Sequence, residues 1–178
     1  MSRRRLLMAL FALAATAAGA LEPDQVIITY ELKMGTRQIS GVSHELEWSF
    51  RALDDERAEV HLLVPIDSFD SGHRAFDSVL RKAIDSERHP FAQIEGIARQ
   101  DRLEGRLDLA GVVRPVTVRL RTERVAGNVV AVASLAIDLE DYGIALEGVD
   151  SHASIEVIVR LAASPEAVLA GGVTRTGN

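Results

Sequence analysis

Five histidines, one serine set between a glycine and a histidine, and two close pairs of carboxylates are the side chains whose types and spacing could do chemistry in this chain. The histidines are His44, His61, His73, His89 and His152. A transition-metal site on a helix needs two imidazoles one turn apart on the same face, and no two of these are so placed, so solvated or capping roles follow for each. The stretch Gly41-Val42-Ser43-His44-Glu45 opens like the sharp turn that presents a hydrolase nucleophile. It lacks the second glycine of that turn, and Ser43 therefore reads as an ordinary strand or turn serine. Asp54-Asp55, and Asp138 with Asp141, have the composition of turns, where short carboxylates bond nearby backbone N–H groups. No nucleophile, base and orienting acid assemble from these residues, so the expectation is a protein without catalysis and without a metal.

The elements that carry these residues are strands. Aliphatic and β-branched side chains alternate with polar ones in many short runs, and period two marks a strand with one buried face. Val26, Ile28, Tyr30 and Leu32 form one such face, and Leu46, Trp48 and Phe50 another. Ala58-Val60-Leu62-Val64-Ile66, Leu103-Gly105-Leu107-Leu109, Val116-Val118-Leu120 and Ile155-Val157-Val159-Leu161 repeat the pattern. Turn chemistry separates the runs at Asp54-Asp55, Gln100-Asp101 and Gly127-Asn128, so neighbouring strands are expected to be antiparallel. One segment breaks the rhythm: Phe76, Val79, Leu80, Ala83 and Ile84 recur at helical spacing, with Asp77 near the start, Arg81 and Lys82 near the end, and Pro90 beyond. About eight antiparallel strands in so short a chain would leave sticky edges, which closure removes, so a barrel is preferred to a sandwich.

Residues 1–20 read as an export leader: Arg3 to Arg5 are the basic region, Leu6 to Ala17 the apolar region, and Ala18-Gly19-Ala20 the cleavage site before Leu21. Ser2-Arg3-Arg4-Arg5-Leu6-Leu7 also fits a loose twin-arginine pattern, although the short basic region favours the general secretory route. The expected organisation is leader 1–20, one domain 21–164 and a flexible tail 165–178, in the periplasm. The apolar stretch is too short to span a bilayer. With no cysteine there is no disulfide framework, and a structural zinc site is disfavoured. The net charge is already −6, and removing the leader takes three arginines and no acid with it. A phosphate backbone would be repelled, so nucleic-acid binding is excluded.

Four ordered segments resemble a known family. They are Val64-Pro65-Ile66-Asp67-Ser68-Phe69-Asp70-Ser71-Gly72, His89-Pro90-Phe91-Ala92-Gln93-Ile94-Glu95-Gly96, the run from Leu103 through Gly105, Leu107, Gly111 and Val112 to Arg114-Pro115-Val116, and Ile137-Asp138-Leu139-Glu140-Asp141-Tyr142-Gly143-Ile144. Their order and spacing resemble the YceI-like bacterial periplasmic proteins over roughly residues 60–161. The chain departs from that pattern at His89, where the family has tyrosine, and in the first strand region, where the usual aspartate and histidine are not recognisable. The resemblance implies an all-β fold, an eight-stranded antiparallel lipocalin-like barrel with one short amphipathic helix near a mouth. It also implies binding of polyisoprenoid lipids, quinones included, in an elongated interior.

Alternation names the inward side chains expected to line such an interior: Ile28, Tyr30, Leu46, Trp48, Phe50, Val60, Leu62, Val64, Leu107 and Val118, with Phe76, Leu80 and Ile84 from the helix. Aromatics are only 4% of the chain, and Ala131 and Ala133 share one strand face with Ala136 on the other, so small inward residues would leave space for a ligand. Each buried methylene of a prenyl chain is worth on the order of 0.8 kcal/mol, enough to bind without a hydrogen bond. The expected function is a carrier for an isoprenoid lipid of quinone or polyprenyl type, with no other cofactor. The alternative is a structural or interaction module with a filled barrel, acting in stress response or on a membrane cytochrome. A homodimer is compatible with either.

Overall fold

The computed structural model describes residues 26–34, 37–54, 56–125, 128–146 and 154–163. Nine strands form one antiparallel sheet: β1 Val26–Met34, β2 Arg37–Ser43, β3 Glu47–Ala52, β4 Arg57–Pro65, β5 Phe91–Arg99, β6 Arg102–Leu109, β7 Val112–Val125, β8 Asn128–Asp138 and β9 Ser154–Ala163. Their spatial order is β2-β1-β9-β8-β7-β6-β5-β4-β3. The all-β, lipocalin-like architecture with one helix is as the sequence leads one to expect, with nine strands in place of eight. The additional strand is β2, whose inward positions opposite Leu32, Tyr30 and Ile28 are Ile39, Gly41 and Ser43. Only one of the three is a large apolar residue, so β2 carries no period-two hydrophobic signal.

The ladder does not run the whole way round, so closure removes fewer edges than expected. β2 and β3 are the two edges, and the chain itself crosses between them through His44-Glu45-Leu46. The seam is pinned by one antiparallel bridge, in which Val42 N–H donates to the Asp70 carbonyl and Asp70 N–H to the Val42 carbonyl, both at 2.9 Å. Ser43, almost wholly buried, completes it. Its Oγ accepts from Glu45 N–H at 3.1 Å and lies 2.6 Å from Ser68 Oγ, whose own proton goes to the Pro65 carbonyl at 2.6 Å. Ser68 has one hydroxyl proton, so Ser43 must be the donor between them. The serine that began like a nucleophile is thus spent on closing the sheet.

Two of the hairpin turns are set by backbone conformation. β5 and β6 meet at Arg99↔Arg102 around Gln100, whose φ is +43°. β6 and β7 meet at Leu109↔Val112 around Ala110 (φ +55°) and Gly111 (φ +75°), the double positive φ of a type I′ hairpin. At the third, Val125 pairs with Asn128, which takes Asn128 into the ladder one residue earlier than the Gly127-Asn128 turn expected; residues 126–127 lie outside the described set. β4 ends at Pro65, and Ile66 begins a 3-10 turn, Ile66–Ser68, where the strand run was expected to include it. The proposed leader 1–20 and tail 165–178 also lie outside the described residues.

The one α-helix among the described residues, α1, spans Arg74–Ile84 and ends on Asp85 in the left-handed conformation, with Ser86 N–H returning to the Arg81 carbonyl at 3.0 Å. Its inward face is turned by about one residue from the apolar stripe in the sequence. Asp77, Leu80 and Ile84 are buried, whereas Val79 is 46% exposed. The rotation is tolerated because the charged groups it turns inward find partners. Asp77 Oδ1 accepts from Ser71 Oγ at 2.6 Å and Ser71 N–H at 3.2 Å, and the Arg81 guanidinium donates to the Phe69 carbonyl at 3.3 Å.

Candidate functional site

Inside the curled sheet, the inward residues of β1 are at most 4% exposed: Val26, Ile28, Tyr30 and Leu32. They share the interior with Leu46, Leu103, Leu107, Leu109 and Val118. The space between them is incompletely filled. One cavity of about 110 Å³ lies toward α1, walled by Ile28, Tyr30, Leu46, Leu62, Val64, Leu80, Ile84 and Leu107 among others. A second, of about 390 Å³, lies toward the β3–β4 and β5–β6 turns and is walled by Leu46, Trp48, Phe50, Val60, Leu62 and Val118 among others. Leu46, Leu62 and Val159 belong to both walls, so the cavities are neighbouring chambers of one interior.

Every residue expected from alternation to line the interior therefore faces one chamber or the other, except Phe76, which packs against the core from outside the chamber walls. Ala131 and Ala133 face the larger chamber and Ala136 faces solvent, as period two requires. Ala52, Ala58 and Ala98 also line the larger chamber. Ala58 opens an alternating run in the sequence, whereas Ala52 and Ala98 escaped notice because an inward alanine looks, in sequence, like a gap in a hydrophobic run. A barrel filled by its own side chains, the premise of the interaction-module reading, is not what these residues build.

Between the chambers, Gly96 of β5 and Gly105 of β6 are directly paired at inward positions, Gly96 between Ile94 and Ala98 and Gly105 between Leu103 and Leu107. A Cβ on Gly105 would overlap the Glu95 carbonyl oxygen, and one on Gly96 would sit 2.8 Å from the Gly105 Cα. The two backbones approach so closely here that neither position has room for a side chain.

The wall of the smaller chamber is apolar apart from Tyr30, Asp77 and Arg81. Tyr30 is held by an edge-on contact with Phe69, ring centroids 5.4 Å apart, and its ring lies over Gly41, where any Cβ would collide with it. Its hydroxyl is buried beside Ser71 and Asp77, and the Arg81 Nε is buried 3.4 Å from Asp67 Oδ1. Burial, reinforced by the negative charge of Asp77, pushes the Tyr30 pKa up to about 12, so the group is a neutral O–H donor at physiological pH. A polar recess of about 420 Å³ abuts this corner, with Phe69, Asp77 and Arg81 in the walls of both. Neither Asp77 nor Arg81 was singled out as lining, because on a helix their positions become inward only once the rotation of α1 is known.

The rim of the larger chamber carries Asp54, Glu56, Arg57, Arg99 and Gln100. Asp54 organises the turn: Oδ1 accepts from Glu56 N–H at 3.0 Å and Arg57 N–H at 2.8 Å, and Oδ2 pairs with the Arg57 guanidinium. These bonds hold the Asp54 carboxyl below the usual carboxylate range. The other chemically able residues stay apart. His44 is exposed and contacts the Val26 carbonyl at 3.2 Å, His61 lies beside Glu59 of its own strand and faces Glu95 on β5, His73 precedes α1, and the His89 ring lies against Gly111. Asp138 Oδ1 accepts Glu140 N–H at 3.3 Å, as its turn composition implied. His152 and Asp55 lie outside the described residues. Among those described, no three His, Cys, Asp or Glu side chains gather to hold a metal.

Residues 20–165 match the YceI-like domain family. No curated protein sequence matches. Among solved structures the chain is similar to BcnA of Burkholderia cenocepacia, with a TM-score of 0.68 at 13% identity over 78% of this chain and 96% of that one. It is also similar to a polyisoprenoid binding domain from Saccharophagus degradans implicated in plant cell wall breakdown (TM-score 0.59, 13% identity, 77% and 94% covered). A third is the YceI protein of Campylobacter jejuni (TM-score 0.54, 14% identity, 85% and 95% covered).

Proposed function

The chain belongs to the YceI-like domain family, and from that premise we propose that it is a carrier that holds an isoprenoid lipid, of quinone or polyprenyl type, inside the sheet and does no chemistry on it. The observation that carries this reading is the pair of adjoining apolar chambers, the larger about 390 Å³ and lined in part by alanines. An apolar void has no partner atoms on its empty side, and a flexible hydrocarbon restores those contacts while leaving water. The related fold described as a polyisoprenoid binding domain supports the choice of ligand, and the leader-like residues 1–20 support a periplasmic location.

Protein recovered from the periplasmic fraction of its own host without detergent, examined by native mass spectrometry, tests the proposal. The expected spectrum shows a chain beginning at Leu21 carrying extra mass that is released by organic solvent and identified as an isoprenoid. A bare chain that also takes up no added quinone or polyprenyl lipid overturns the carrier reading.

A further inference from the structure

An antiparallel strand with one wet face alternates apolar and polar side chains, and three neighbouring strands of this sheet break that rule on the outside. Ile28, Val159 and Ala133 turn inward, so Ile27 of β1, Ile158 of β9 and Val130 and Val132 of β8 point away from the interior, each partly open to solvent. Arginines share this outer face. Ile27, Arg160, Val132 and Arg121 lie side by side in one row across β1, β9, β8 and β7, and Thr29, Ile158, Ser134 and Arg119 form the next. Among the described residues, Arg119, Arg121 and Arg160 have no ion-pair partner. Carboxylates stay at the margin: Glu31 is bonded to Gln38, Glu104 to Arg102, and Glu123 lies toward the tip of β7. In a chain of net charge −6, three arginines gathered on an apolar face fit that face to an anionic partner.

What lies beside the face selects the partner. β1 is laddered to β2 only from Ile28 onward, where Ile28 pairs with Ser43, and β3 is laddered to β4 alone. At the level of Val26 and Ile27, no ladder therefore joins β1 to β3, and the polar contact between them is that of His44 Nδ1 with the Val26 carbonyl at 3.2 Å. Just behind this seam Val26 and Ile28 pack on Leu46 and Trp48, which are also wall residues of the larger chamber. Side chains that can part, more than backbone hydrogen bonds, keep the seam shut. A lipid surface uses all of these features: apolar side chains enter the acyl boundary, guanidinium groups bind phosphodiesters, and the seam faces the source of an apolar cargo. An acidic protein would satisfy only the arginines, and a second copy would set like charge against like. We propose that the outer face of β1, β9, β8 and β7 docks on a membrane of anionic phospholipid, with the β1–β3 seam beside it as the passage for the cargo. The choice of a lipid surface rests on the carrier reading.

In the test, lipid-free protein from the periplasmic fraction is sedimented with vesicles of phosphatidylcholine alone or of phosphatidylcholine mixed with phosphatidylglycerol. It is expected to bind the mixed vesicles, to be released as salt is raised, and to bind the neutral vesicles at least about tenfold more weakly. Arg119→Gln, Arg121→Gln and Arg160→Gln combined are expected to lower affinity for the mixed vesicles on the order of a hundredfold, at roughly fivefold for each arginine. Removing the same charge from exposed positions at the α1 end, with Arg74→Gln, Lys82→Gln and Arg88→Gln, is expected to change it by less than about threefold. Equal losses in the two triple variants would reduce the effect to net charge and overturn the proposal. So would binding to neutral vesicles that salt does not weaken, no vesicle binding at all, or capture of this face by an acidic protein in place of vesicles. Uptake of a prenyl lipid in solution, followed separately by native mass spectrometry, keeps the two readings apart: docking without uptake refutes the carrier and leaves the face, and uptake without docking refutes the face alone. Should the arginine variant fail to fold, fluorescence decides. The chain has no cysteine, so Val132→Cys and Val79→Cys each provide one site for a polarity-sensitive label. The label at 132 is expected to shift to the blue on mixed vesicles and the one at 79, exposed on α1, to stay unchanged; the same response at both, or none at 132, overturns the docking face.

Discussion

Tyr30 owes its behaviour to a neighbour with no side chain. Gly41, directly opposite on β2, leaves the inner surface free for the phenol ring, which then buries its own hydroxyl beside Asp77. An unfolded tyrosine loses its proton near pH 10 and the folded one near 12. Between those values the unfolded state releases a proton that the folded state keeps. The stability of the fold is therefore intact below pH 10 and falls as pH rises toward 12, by at most roughly 3 kcal/mol from this group. Urea midpoints measured below and above pH 10 in wild type and Tyr30→Phe isolate it. The wild-type midpoint is expected to drop more steeply, and parallel curves would mean that the phenol is not desolvated. That Tyr30 points inward was legible from alternation with Ile28 and Leu32. That its hydroxyl meets Ser71 and Asp77 was not, because Ser71 is 41 residues away in a loop with no periodicity.

Strands announced themselves where their inner face was greasy, as in β1, β4, β6 and β9, and hid where the fold demanded small inner residues. β2 places Gly41 and Ser43 inward, one to admit a ring and the other to close the seam. The helix illustrates the converse. Its apolar stripe located α1 correctly, but the burial of Asp77 at the expense of Val79 reflects bonds to Ser71 that no helical wheel contains. The β6–β7 hairpin carries a cost of its own. Its type I′ turn requires positive φ at both central positions, which Gly111 adopts freely and Ala110, at φ +55°, does not. Ala110→Asn is expected to stabilise the protein by about 1 kcal/mol, since asparagine tolerates this conformation where alanine is strained. The change should appear as a higher urea midpoint at constant slope, and a lower midpoint would show that the Ala110 methyl contributes more by packing than it loses by strain.

Taken as a whole molecule, the sheet encloses more room than its side chains occupy, and the excess lies where alanines from β3, β4, β5 and β8 converge on the larger chamber. This arrangement separates two properties that usually move together. In a filled core, enlarging an inward alanine forces neighbours off their rotamers and costs stability, typically 1–3 kcal/mol. In an open one, the added methylenes enter empty space and gain contacts. Ala133→Leu, which directs an isobutyl group into the larger chamber, is therefore expected to keep or raise the unfolding temperature of the lipid-free protein while weakening long-chain lipid binding by about tenfold or more, because the new side chain occupies volume worth on the order of 0.8 kcal/mol for each ligand methylene it displaces. Ala136→Leu on the solvent face of the same strand is the control and should alter neither property. Thermal scans of the lipid-free variants, run beside titrations with a prenyl lipid, separate the cases. If Ala133→Leu unfolds several degrees below wild type while Ala136→Leu does not, the chamber is not open space in the folded protein; if its stability holds and binding is undiminished, the lipid lies elsewhere.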